Sequence, residues 1–178
     1  EKRNPRQLEG NLHQPISMGT RCHQAACYIV QDSPFTMLAD TPTNYEADEP
    51  YTQYIASLPV IFDKTIVPQA KSESHRYRPK EGQQLDVGGQ SNWDERTLTL
   101  KFDFLTDGDY EAIVLKDGIN ANHDAEDYKI EKSVINQKSE MKIHRASGGG
   151  FVIKVIKNEH FKKEVDMVNK NIIVTLFV

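Results

Sequence analysis

The sequence predicts a mainly β fold, with two N-terminal helices followed by an antiparallel β-sandwich. Two patterns carry that prediction. Residues 95–104 alternate without a break, with Leu98, Leu100, Phe102 and Phe104 on one side and Thr99, Lys101 and Asp103 on the other, the period of a half-buried strand. Upstream, Met18, Cys22, Ala25, Ala26, Ile29 and Val30 recur at intervals of three and four, the period of a helix with one apolar face.

The elements follow in order. Residues 1–14 are polar and irregular. Pro15 precedes a helix predicted over 18–31, and Ser17 is placed to cap it. Pro34 breaks or kinks that helix, and 35–40 form a short apolar segment ending at Asp40. Thr41-Pro42-Thr43-Asn44 reads as a turn. A second helix over 48–57 carries Tyr51, Tyr54, Ile55 and Leu58 on one side and ends at Pro59. After about residue 60 the character changes to short strands: 95–104, 110–115, 128–136, 140–145 and 151–156. Turn signals separate them: Asp107-Gly108 as a hairpin turn, then Asp117-Gly118, then Ser147-Gly148-Gly149-Gly150. Short strands with frequent turns indicate an antiparallel sandwich.

Composition narrows the function. The 178 residues make one domain, or a small domain with an appendage. A net charge of −4 argues against a nucleic-acid partner, because phosphate binding requires a basic face. No apolar run reaches the roughly 18 residues that a bilayer span requires. The chain opens at Glu1 without Met or an apolar leader, as expected of a processed chain or a fragment. Cys22 and Cys27 lie five apart, on diverging faces of the first helix, and read as two packing thiols rather than a disulfide.

The search for reactive groups yields little. Glycoside hydrolysis needs two opposed carboxylates, and the densest acidic run, Asp103, Asp107 and Asp109, reads as turn and solvent-facing residues. The 117–127 loop offers Asp117, Asn120, Asn122, Asp124, Glu126 and Asp127. A calcium loop wants oxygen ligands at alternate positions with a fixed Gly; here Ile119 fills one slot and the Gly is misplaced. The six histidines show no ligand spacing, and His23 reads as a surface group on the first helix. Gly148–Gly150 has no helix after it, so it reads as a tight bend before a core strand rather than a phosphate cradle. Trp93 reads as a core side chain, with stacking on a sugar ring as the alternative for an exposed one.

Four stretches in order resemble the C-terminal end of glycoside hydrolase family 97: GTRCHQAACYIVQDSPFTMLADTPTNY at 19–45, SNWDERTLTLKFDFL at 91–105, LKDGINANHDAEDYK at 115–129 and SGGGF at 147–151. The resemblance implies a bacterial α-glucosidase or α-galactosidase, periplasmic or secreted, with an N-terminal supersandwich, a (β/α)8 barrel and a small C-terminal sandwich. It implies that residues 1–59 hold the C-terminal helices of the barrel, 60–157 the sandwich, and 158–178 an extra tail. The family's catalytic carboxylates and its calcium ligands would lie upstream, so no catalytic or metal-binding position is assigned here. The N-terminal end of the first helix would lie nearest the barrel mouth, which makes Arg21 and Gln24 the substrate-proximal candidates, with a salt bridge within the helix end as the plainer role for Arg21. On this reading the chain supports the barrel of an enzyme acting on α-linked oligosaccharides and is inactive alone. The alternative is a free-standing carbohydrate-binding or interaction sandwich.

The resemblance lapses over 72–90, SESHRYRPKEGQQLDVGGQ, where the family has two apolar strands around a basic hairpin. Back-translated from Ser74 to Asp86 and read from the second base of each codon, the segment permits Val-Ile-Ala-Ile-Ala-Arg-Lys-Lys-Gly-Asn-Asn-Trp. That is a strand, a basic turn and an aromatic, which suggests two compensating frame errors, against genuine divergence. The stretch as encoded is then expected to form an exposed loop, leaving the sheet incomplete beside Leu98 and Leu100.

Overall fold

The computed structural model describes residues 19–31, 41–59, 70–71, 73–79 and 84–157, the side chains of 70–79 and of Gln84 excepted. Helix α1 spans Arg21–Val30, α2 Pro42–Ala47 and α3 Glu49–Ala56. Eight strands follow: β1 Ala70–Lys71, β2 Glu73–Pro79, β3 Gln84–Gln90, β4 Arg96–Lys101, β5 Tyr110–Asp117, β6 Tyr128–Ile135, β7 Glu140–Arg145 and β8 Gly150–Lys157. They form a six-stranded antiparallel sheet, β1-β2-β3-β8-β5-β6, faced by a two-stranded sheet, β4-β7. The expectations for 1–17, Met18, 35–40 and the tail at 158–178 lie outside the described residues.

The helices differ from expectation in where they begin. α1 starts at Arg21, capped by Thr20, whose Oγ1 accepts the His23 N–H at 3.1 Å. Gly19, at φ +92°, makes the bend that leads into it. Residues 41–44 open α2 instead of forming a free-standing turn. Pro42 sits in the first helical turn, where its fixed φ is already helical and its missing N–H would have no partner. The ladder then breaks at Asp48, because Pro50 has no N–H to continue it, and α3 restarts with the Thr52 N–H donating to the Asp48 carbonyl at 3.0 Å.

The central strands of the large sheet, β3, β8 and β5, are buried on both faces. Towards β4-β7, Leu85 and Val87 of β3, Ala112 and Val114 of β5, and Phe151, Ile153 and Val155 of β8 pack with Leu100, Phe102 and Ile143. Towards the helices, Leu115 and Val152 pack with Cys22, Ala25, Ala26, Ile29, Tyr51, Tyr54, Ile55 and Leu58. This is why β5 and β8 read as continuous apolar runs while β4, covered on one side, alternates. Tyr54 locks α3 to the sheet: its hydroxyl lies 3.0 Å from both the Ile113 and the Val152 carbonyl oxygens. Burial pushes that phenol well above its ordinary value.

Two expectations are corrected. Asp107-Gly108 is not a hairpin turn: β4 pairs with β7, and β5 pairs with β6 and β8, so the chain crosses between sheets there. Nor are 73–79 and 84–90 an exposed loop; the rest of 72–90 lies outside the described residues. The β2 backbone pairs antiparallel with β3, and β3 pairs along its length with β8. β3 is a strand in the encoded frame for a physical reason. Its apolar Leu85 and Val87 face the sandwich, while Asp86 lies opposite Lys154 across the β3–β8 pair, and Gly88 lets α1 come close. A Cβ on Gly88 would lie 2.6 Å from Ile29 Cβ. The sheet is complete without β4, which never neighbours β3.

Candidate functional site

The polar groups of the molecule converge where the start of α1, the end of β5 and the glycine bend before β8 meet. Asp117 is the centre of that junction. Read from sequence as half of a turn, it is 5% exposed. Its Oδ1 accepts the Thr20 hydroxyl at 2.6 Å, and its Oδ2 accepts the backbone N–H groups of Ala146 at 2.9 Å and Gly150 at 3.1 Å. The buried Cys22 thiol bonds to it as well. Burial holds the Asp117 carboxyl above its ordinary value, and the donors from Thr20, Ala146 and Gly150 pull it back without cancelling that effect. Burial, then the Asp117 charge, pushes the Cys22 thiol well up, so Cys22 is an inert packing thiol. Cys27 also stays free, its sulfur accepting the Gln90 Nε2–H at 2.9 Å.

The glycines at 148–150 serve this junction. A Cβ on Gly149 would fall 1.9 Å from Asp117 Oδ2, and one on Gly150 2.8 Å from the Cys22 carbonyl oxygen. The bend predicted from sequence is therefore present, and its composition is dictated by what packs on it.

Arg21 and Gln24 sit on the first turn of α1. The Arg21 guanidinium pairs with Asp48 and, at 3.2 Å, with Glu126, and lies 5.5 Å from the centre of the Tyr51 ring. Asp48 also accepts the Tyr128 hydroxyl at 2.5 Å. These bridges leave the helix end instead of staying within it: Arg21 ties α1 to the α2–α3 junction and the 117–127 loop. Gln24 donates its backbone N–H to the Thr20 carbonyl within the same turn.

The 117–127 loop is organised by its own side chains. Asp127 Oδ2 accepts the Asn120 N–H at 2.7 Å, and the Asp124 carboxylate accepts the Glu126 N–H at 3.0 Å. Among the described residues no three acid, His or Cys side chains gather as metal ligands. Asp103, Asp107 and Asp109 are exposed, as expected of turn residues.

Trp93 corrects the sequence reading. It is 44% exposed, not in the core, because it rides on the turn between β3 and β4 and rests against Gly148. The signal available in the sequence was its neighbourhood, Asn92-Trp93-Asp94-Glu95, which is polar on both sides.

An antiparallel sandwich with a helical shoulder packed on one face is the class of domain these elements define. The comparisons place it. The chain belongs to glycoside hydrolase family 97: the family model described as the glycosyl-hydrolase 97 C-terminal, oligomerisation region matches residues 61–156. It is similar to a retaining alpha-galactosidase of Bacteroides thetaiotaomicron, 40% identical over 143 residues, covering 80% of this chain and 22% of that protein. The fold matches a family 97 enzyme from Pseudoalteromonas sp. strain K8, solved with acarbose, with a TM-score of 0.74, 28% identity, and coverage of 79% of this chain and 23% of that one. A beta-arabinopyranosidase shares the fold, with a TM-score of 0.61 at 13% identity over 76% of this chain and 21% of that one. The chain thus spans under a quarter of the length of the family relatives it matches.

Proposed function

We propose that this chain is the C-terminal part of a glycoside hydrolase that cleaves α-linked gluco- or galacto-oligosaccharides, and that it braces the catalytic barrel of the same polypeptide. The single observation behind this is the 40% identity to a retaining alpha-galactosidase, sustained over 143 residues and so running beyond the sandwich itself. The activity named for that relative favours galactosides within the proposal. The cluster of Arg21, Asp48 and Glu126 supplies the rigidity the role needs, since it joins the helices to a loop of the sandwich. The proposal includes a calcium ion held by residues outside this chain and a periplasmic or secreted location. Gln24, with Arg21, is proposed to lie on the substrate side of that barrel.

The test compares the 178-residue chain with a longer polypeptide that carries the upstream region, on nitrophenyl α-galactoside and nitrophenyl α-glucoside with calcium present. Turnover is expected from the longer polypeptide alone, faster on the galactoside. Turnover by this chain, abolished by changing one acid within 103–127, would overturn the supporting role.

A further inference from the structure

We propose that Trp93, on the turn that also carries Glu95, is a binding platform for a pyranose ring of an α-linked oligosaccharide. The sugar class rests on the proposed function; the platform itself rests on four observations.

The first is an exposed aromatic that is held still. Trp93 remains 44% exposed although a large apolar ring gains by burial. Its turn is braced at both ends. Asn92 Oδ1 accepts the Asp94 N–H at 3.1 Å, the Asp94 carboxylate takes the Asn92 amide and Arg96, and the Asn92 carbonyl accepts the Gly148 N–H at 2.7 Å. Beneath the ring lies Gly148, where a Cβ would stand 2.7 Å from Cζ3 and 3.1 Å from Cε3. Only a glycine, here at φ +60°, lets the indole rest on the backbone. A fixed ring gives up little freedom on binding.

The second is the set of polar groups on that turn. Glu95 Oε2 accepts the Asn122 amide at 2.6 Å, and its Oε1 lies 3.4 Å from His144 Nε2. Asn122 Oδ1 accepts the N–H of Ser147, the residue before Gly148. A carboxylate has about four acceptor sites, so Glu95 keeps capacity for sugar hydroxyls while its two partners fix its plane. An aromatic face with an oriented planar acceptor on the same turn matches a pyranose, with C–H groups on its face and hydroxyls at its rim.

The third observation separates sugar from protein as the occupant. Asn92, Asp94 and Glu95, which flank Trp93 in the chain, are all exposed and polar. Interface cores are depleted in acidic residues, so this turn suits hydroxyls better than a packed protein surface.

The fourth is position. The platform backs onto Gly148, whose carbonyl accepts the Thr20 N–H at 3.0 Å, so it is tied to the N-terminal end of α1. With α1 as a barrel helix, that end faces the substrate side, because barrel helices start from the catalytic face.

The chain holds one tryptophan, so its emission reports this ring alone. The 178-residue chain is titrated with maltotriose and with raffinose while tryptophan emission is followed, and the heat of mixing is measured in parallel. A saturable blue shift or quench, with matching heat, is expected from at least one sugar. Trp93→Ala should weaken binding about tenfold or more, with Trp93→Phe between the two, at unchanged circular dichroism and melting temperature. No response to either sugar, or equal binding by Trp93→Ala, overturns the platform. So does a Trp93 emission, read in the longer polypeptide without sugar as the difference from its Trp93→Phe variant, that is already that of a buried ring shielded from acrylamide, since that makes it a contact between domains. Hydrolysis is read separately: its loss counts against the proposed function, and lost binding with hydrolysis intact counts against the platform alone.

Discussion

Replacing Asp117 with alanine removes the acceptor of two buried backbone N–H groups, those of Ala146 and Gly150, and of the Thr20 hydroxyl, in a single step. A buried donor left without an acceptor costs about 1–3 kcal/mol. The hydroxyl can rotate, so the two amides set the scale at about 2–6 kcal/mol. The space left by the carboxylate admits a water molecule that restores part of this, which brings the expected loss to about 2–4 kcal/mol. Against a typical total of roughly 5–15 kcal/mol that is a large fraction. Asp117→Asn should behave differently. Its amide oxygen retains the two N–H bonds, its NH2 donates to Thr20 Oγ1, and no charge is buried, so the cost at neutral pH should stay below about 1 kcal/mol. Urea denaturation followed by far-ultraviolet circular dichroism gives both values, provided the slopes match. An alanine variant within about 1 kcal/mol of the parent would refute the account of Asp117 as the organising acceptor. An asparagine variant as damaged as the alanine one would show that the charge itself is required.

Two further outcomes follow from the same geometry. Because burial raises the Asp117 carboxyl above its ordinary value of 3.8, the folded state holds this proton more tightly than the unfolded state does. The group's contribution to stability is therefore greatest below 3.8 and falls as pH rises through the folded value. Denaturation curves across that range should show the parent losing stability relative to Asp117→Asn as pH increases, and a difference that grows in the other direction would reverse the assignment. Gly88→Ala would place a Cβ 2.6 Å from that of Ile29, on a side chain that has no room to move, so α1 must lift from β3. A loss of about 2 kcal/mol or more is expected, with part recovered by Ile29→Gly in the same chain, which removes that Cβ, as a double-mutant cycle would show.

Much of the fold was legible because its signals are local. Leu98, Leu100 and Phe102 alternate because β4 has one wet face, and the spacing of Cys22, Ala25, Ala26 and Ile29 marks the stripe of α1 that the sheet covers. The strand limits at β5 to β8 follow from the same pattern and its turns. β3 escaped it. A strand between a helix and a second sheet has two buried faces with different demands, and Gly88 and Asp86 satisfy the helix side with a close approach and a cross-strand partner instead of apolar bulk. The expectation of an exposed loop failed here because a strand facing a helix is not marked by apolar alternation. Trp93 escaped for the converse reason. Aromatic residues are usually buried, and no local pattern reveals that a turn holds this ring on top of Gly148.

By itself the sequence determined the mainly β class, the positions of α1, α3 and most strands, the free state of both cysteines, and the family likeness. Each of these depends on neighbours a few residues apart or on ordered stretches that can be compared directly. Only the tertiary structure decided that Asp117 is a buried acceptor rather than a solvated turn residue, that Arg21 is occupied by Asp48 and Glu126, and that Trp93 faces water. The physical reason is separation along the chain. Asp117 meets Thr20 across 97 residues and Gly150 across 33, and Arg21 meets Asp48 across 27. A carboxylate's environment is set by the donors that folding brings to it, and periodicity carries no information about those.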